Sequence, residues 1–128
     1  MLQCQGCHLA DGSGKPGSVP AFADQVGRYL LVPGGREYLV RVPGASNAPI
    51  TDAELAALLN WIVRRFGPSA VAAGFRAFDA REVARVRRPP LVAPEAERER
   101  LLAALAQLRS AGNSAKKAPS SARRSGGR

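Results

Sequence analysis

Residues 4–8 read Cys4-Gln5-Gly6-Cys7-His8: two thiols three positions apart and an imidazole directly after the second. These are the only cysteines and the only histidine in a chain of 128 residues. A closed structural zinc site takes four such ligands, which one chain cannot supply here. A redox dithiol of the thioredoxin kind sits among alternating strands and helices, whereas a glycine-rich loop follows Cys7. Two cysteines do not make a disulfide scaffold either. One chemistry suits the spacing. At the start of a helix both thiols project to one side, where they form thioethers with the two vinyl groups of a porphyrin. The imidazole that follows meets the iron from the same side. The pattern predicts one covalently held haem, with Cys4 and Cys7 as anchors and His8 as the proximal iron ligand.

Composition agrees with a small domain that borrows bulk from such a group. Apolar residues make up 45% and charged residues 23%, near the globular average, but aromatic residues only 5%. No apolar run approaches the roughly 18 residues of a membrane span. The net charge of +9 is uneven: residues 1–68 hold six basic and five acidic side chains, residues 69–112 eight and five, residues 113–128 five and none. The first segment is thus near neutral. It lacks the basic face with stacking aromatics that a nucleic-acid partner requires.

Around the motif the chain divides into a first domain at 1–68, a helical extension at 69–112 and a basic low-complexity tail at 113–128, expected to be disordered. Asp11 to Pro20 (DGSGKPGSVP) is loop by its glycines and prolines. Tyr29–Val32 and Tyr38–Val42 are short apolar stretches, helical or extended. Pro43, Gly44 and Pro49 mark a second loop. Thr51 to Phe66 is the strongest helix: Thr51-Asp52-Ala53-Glu54 is a capping box, and Leu55, Leu58, Leu59, Ile62, Val63 and Phe66 form one apolar stripe. Arg64 and Arg65 suit its C-terminal dipole, and Gly67-Pro68 ends it. In the extension, Asp79 caps a short helix to Arg88, stopped by Pro89-Pro90. Pro94 opens another to Arg109, expected to stop at Gly112. Its narrow stripe of Leu101, Leu102, Leu105 and Leu108 predicts loose packing.

From His8 onward, His-Leu-Ala-Asp-Gly-Ser-Gly (8–14) and Pro20-Ala21-Phe22 resemble the stretch C-H-x-x-D-G-x-G…P-x-Φ of small bacterial class I cytochromes c, where Φ is a large apolar residue. The helix 51–66 resembles that family's C-terminal helix, with Trp61 at its aromatic position. The likeness covers residues 1 to about 66. It implies a mainly α fold: a small helical domain around one haem c, followed here by the extension and tail. It further implies that Pro20 offers its carbonyl to the Nδ1–H of His8, fixing the tautomer and strengthening the imidazole as a ligand. Trp61 is expected to pack in the core beside the cofactor.

Two departures from the family bear on function. Only Met1-Leu2-Gln3 precede Cys4, where most of a helix is usual. Haem attachment outside the cytoplasm also calls for an export signal. The true start is therefore expected upstream of Met1, and the location is expected to be periplasmic. The second departure concerns the sixth ligand. The loop that carries a methionine in the family reads Val42-Pro43-Gly44-Ala45-Ser46-Asn47-Ala48-Pro49 and has none. Asn47 stands nearest the expected place, either as a weak distal ligand or as a loop residue bonding its own backbone.

Two readings of function follow. In one, the chain is a non-enzymatic carrier or subunit that passes single electrons to or from a redox partner protein: a dehydrogenase, an oxidase or another cytochrome. In the other, an open or weakly Asn47-ligated distal site binds small gases. No base, nucleophile or distal histidine stands ready for catalysis by the chain itself.

Overall fold

The computed structural model describes residues 8–117. Its elements are a 3-10 turn, Arg28–Leu31, then six helices: α1 (Gly35–Arg41), α2 (Pro43–Ser46), α3 (Asp52–Phe66), α4 (Ser69–Gly74), α5 (Ala80–Val86) and α6 (Pro94–Lys117). Among the described residues there is no strand, only an isolated bridge between Lys15 and Val19. The two short apolar stretches thus both turn helical. The second expected loop contains one helical turn, α2, started by Pro43, whose fixed φ suits the first helical position.

The capping box forms on α3 as its sequence predicts. Thr51 Oγ1 accepts from the Glu54 N–H at 3.2 Å, and Glu54 Oε2 accepts from the Thr51 N–H at 2.7 Å. The Thr51 N–H and the Thr51 hydroxyl, both donating to Glu54 Oε2, hold the Glu54 carboxyl below the usual range. The stripe buries Leu55, Ala56, Leu59, Ile62, Val63 and Phe66. Gly67 then caps the helix, donating to the Val63 carbonyl, and Pro68 prevents its continuation.

The extension packs into the same core as the first segment. Phe78, Val83, Leu101 and Leu105 are buried in one cluster with Tyr29, Val40, Leu55 and Val63. Side chains bond across this junction. Asn60 on α3 pairs with both backbone groups of Phe78, at 2.9 and 2.7 Å. Arg36 on α1 grips the Glu82 carboxylate with two bonds of 2.7 Å and lies over the Phe78 ring. Arg76 adds further bonds to Glu82, and together these cations keep its carboxyl below the ordinary range. Buried Arg87 donates to the carbonyls of Ser46, Ala48 and Ile50 and to the Asp52 carboxylate, while the Ser46 hydroxyl donates to the Arg87 carbonyl. A bidentate guanidinium–carboxylate pair with its remaining donors satisfied is among the stronger polar contacts a protein makes.

Two expectations change at α6. Leu101 and Leu105 are buried, so the helix packs closely along that edge; Leu102 and Leu108 remain exposed. The helix also runs past Gly112, and residues 113–117 belong to it and not to a disordered tail. Glycine costs an exposed helix about 1 kcal/mol relative to alanine but does not break it. Nothing crowds Gly112, and the alanines and lysines that follow are good helix formers. Residues 118–128 lie outside the described residues.

Candidate haem site

The loop after His8 is closed by its own polar groups. The Asp11 carboxylate accepts from the Ser13 N–H at 2.9 Å and the Ser13 hydroxyl at 2.6 Å, which keeps the Asp11 carboxyl below its ordinary value. Leu9 and Ser13 bond through their backbones. Gly12 is the pivot. Its φ of +82° is left-handed, and an added Cβ would lie 2.6 Å from the Phe66 ring. Its carbonyl accepts from the Phe22 N–H at 2.7 Å, which brings Phe22 back over His8.

The result is a row of rings. His8 stacks on Phe22 with centroids 3.8 Å apart and planes 18° apart. Phe22 lies 5.9 Å from Phe66, and Trp61 meets Phe66 edge-on at 5.6 Å. The Asp24 N–H, bonded to the Phe66 carbonyl, ties this loop to the end of α3. Trp61 therefore does not take the core place expected of it. It is 39% exposed, at the open end of the row. The sequence pattern named Phe22 as the large apolar position but carried no sign that its ring covers His8.

His8 Nδ1 is buried and has no hydrogen-bond partner among the described residues, and burial pushes the imidazole pKa down. The bond expected from the Pro20 carbonyl is not made. The Val19 N–H bonds back to Lys15, which turns the Val19 and Pro20 carbonyls onto Gly14, where an added Cβ would lie 2.8 Å from the Pro20 oxygen. Asn47 is also set apart. It is exposed, ends α2, and its Oδ1 accepts from Arg88 Nη1 at 2.8 Å. The expected anchors Cys4 and Cys7 lie outside the described residues.

These features fit a haem ligand better than a bare-metal site. The described residues hold no group of three or more His, Cys, Asp and Glu side chains placed for a metal ion. A neutral imidazole that gives Nε2 to iron carries its proton on Nδ1; here that buried atom is the one directed into the protein without a partner. Helices around a single half-buried imidazole, backed by an aromatic row and preceded by two thiols, define a small haem protein.

No family model matches the chain. Two curated relatives do, both named cytochrome c-552 and both from Thermus thermophilus. Each is 36% identical over 119 residues, covering 77% of this chain and 91% or 80% of the relative. The chain belongs to the class I c-type cytochromes, electron-transfer proteins with covalently bound haem c. The matched share exceeds what residues 1–66 supply, so the likeness runs on into the helical extension, beyond the motifs that first indicated it. The alignment also has more positions than this chain contributes, so the relatives carry residues within the matched region that are missing here.

Proposed function

We propose that this chain is a monohaem electron-transfer protein of the periplasm, acting as carrier or subunit for a dehydrogenase, an oxidase or another cytochrome. The observation that carries this is the single Cys4-x-x-Cys7-His8 segment, whose histidine has its Nδ1 buried in the fold. Cys4 and Cys7 would hold the group through thioethers and His8 would bind its iron; once bound, haem c supplies reversible one-electron exchange. The chain's own residues then have simple tasks. Phe22 covers the imidazole and fixes its plane, Gly12 holds Phe22 in place, and the core built with α5 and α6 keeps α3 rigid behind them. Co-expression with the haem-attachment machinery and an export signal should add the mass of one haem, resistant to acidic acetone, and voltammetry should give one reversible wave. Haem lost to acidic acetone would overturn the proposal.

A specific observation favours an open distal position in the same protein. Asn47 Oδ1 is engaged by Arg88, and the neighbouring α2 turn is bound through Ser46 to Arg87. No methionine stands in that loop. The ferrous protein should then bind carbon monoxide rapidly at neutral pH, and Asn47→Ala should barely alter the ferric spectrum. A six-coordinate low-spin spectrum that resists carbon monoxide would rule this second reading out.

A further inference from the structure

Beyond Leu105 no residue of α6 is buried: residues 106–116 are helical and all exposed. Two neighbouring ridges of the helix nevertheless run on through this stretch. Leu101, Leu108 and Ala115 lie at i, i+7 and i+14, and Leu102, Arg109 and Lys116 lie beside them at the same spacing. The first ridge is sealed in the core at Leu101 and emerges at Leu108, which is 51% exposed. The second is apolar at Leu102 and then turns cationic. Neither Arg109 nor Lys116 has an ion-pair partner among the described residues. From Leu101 to Arg128 the sequence holds six basic residues, no acidic one and no aromatic one. Ser110, Gly112, Asn113 and Ser114 are weak helix formers, so a helical arm of this composition gains from a surface to lie along.

We infer that this exposed part of α6 lies on an anionic phospholipid surface, with Leu108 and Ala115 set among the headgroups and Arg109 and Lys116 against the phosphates. Lys117, Arg123 and Arg124 add charge of the same sign. Positive charge strung along the chain, with no acid between, matches a surface whose negative charge is likewise spread. The apolar ridge is narrow and made mostly of small side chains. It suits the shallow interface of a bilayer and offers no large anchor for a pocket on a protein. Nucleic acid is a poorer match, because the arm has no aromatic ring on which a base could stack. A second copy of the arm would set like charges side by side. No helix among the described residues is long and apolar enough to cross a membrane, so the contact is peripheral. The inference goes beyond the electron-transfer reading and does not depend on it.

The test is sedimentation of the full-length holoprotein with vesicles of phosphatidylcholine and phosphatidylglycerol in equal parts, beside vesicles of phosphatidylcholine alone. The protein should travel with the anionic vesicles only, and less of it as salt rises. Lys116→Gln/Lys117→Gln should weaken binding about fivefold for each charge removed, the size of one cation near an anionic leaflet. Leu108→Gln leaves the charge unchanged and should also weaken binding about fivefold, since half of a leucine side chain leaves water on the surface. Amide exchange of residues 106–116 should slow on the anionic vesicles. Equal binding to both kinds of vesicle, or to neither, would overturn the inference. So would a Lys116→Gln/Lys117→Gln or Leu108→Gln chain that binds as before, or protection that maps to α5 and not to α6. Tighter binding to polyglutamate or duplex DNA, compared at equal charge, would overturn it in favour of an acidic protein or a nucleic acid.

Discussion

The face where α5 and α6 meet α1 and α3, and the loop that follows His8, are built on different terms. On the first face Val83 and Leu101 are sealed from solvent, and Arg36, Asn60, Glu82 and Arg87 find partners outside their own elements. On the second, turns of a few residues support a row of rings, His8 Nδ1 has no partner among the described residues, and Leu9 and Trp61 are exposed. A segment that completes its core with a prosthetic group carries neither the apolar bulk nor the acceptors to close by itself. The extension, by contrast, is closed by its own side chains. The chain therefore carries its own scaffold on one side and, on the other, the loop where we propose that haem is held.

The largest test of this contrast removes the cofactor. In a Cys4→Ser/Cys7→Ser chain, amides of Leu9–Val26 should lose about 100-fold or more of their hydrogen-exchange protection relative to holoprotein, while the central amides of α3 and α5 change far less. Uniform loss over both regions would mean that the scaffold also depends on haem. Next in size is Arg87→Ala, which strands three carbonyls and a carboxylate. It should cost about 3 kcal/mol in denaturant unfolding of the holoprotein. A loss below ~1 kcal/mol would show that water replaces the guanidinium without penalty.

Gly12→Ala acts on the other side. It places a Cβ at positive φ and against Phe66, and about 1–3 kcal/mol of destabilisation is expected, together with a change in the haem absorption bands as Phe22 shifts. Unchanged bands would separate the loop from the imidazole it is held to position. The smallest effect is a pH dependence. Glu82 has a folded pKa below its unfolded value, chiefly through the Arg36 hydrogen bonds, so its contribution is fully present above about pH 4.5. It fades as pH falls through the lower folded value. Glu82→Gln should flatten the unfolding curve in that acid range, and an unaltered slope would assign the acid loss to other carboxylates.

Local pattern carried a good part of this molecule. The C-x-x-C-H spacing, the capping box of Thr51 and Glu54, the apolar stripe of α3 and the Asp79 cap of α5 are all short-range signals, set by covalent geometry and by bonds within one turn of helix. Such signals are legible because the residues that satisfy them are neighbours in sequence. Tertiary structure decided the rest. Arg36 and Glu82 are 46 positions apart, and Arg87 and Ser46 are 41 apart, so no local pattern could pair them. The turn that draws Phe22 over His8, the exposure of Trp61, the engagement of Asn47 by Arg88 and the run of α6 through Gly112 likewise depended on which surfaces met. Contacts across such separations are selected by the whole packing, in which a single residue's propensity, rarely above about 1 kcal/mol, is a minor term.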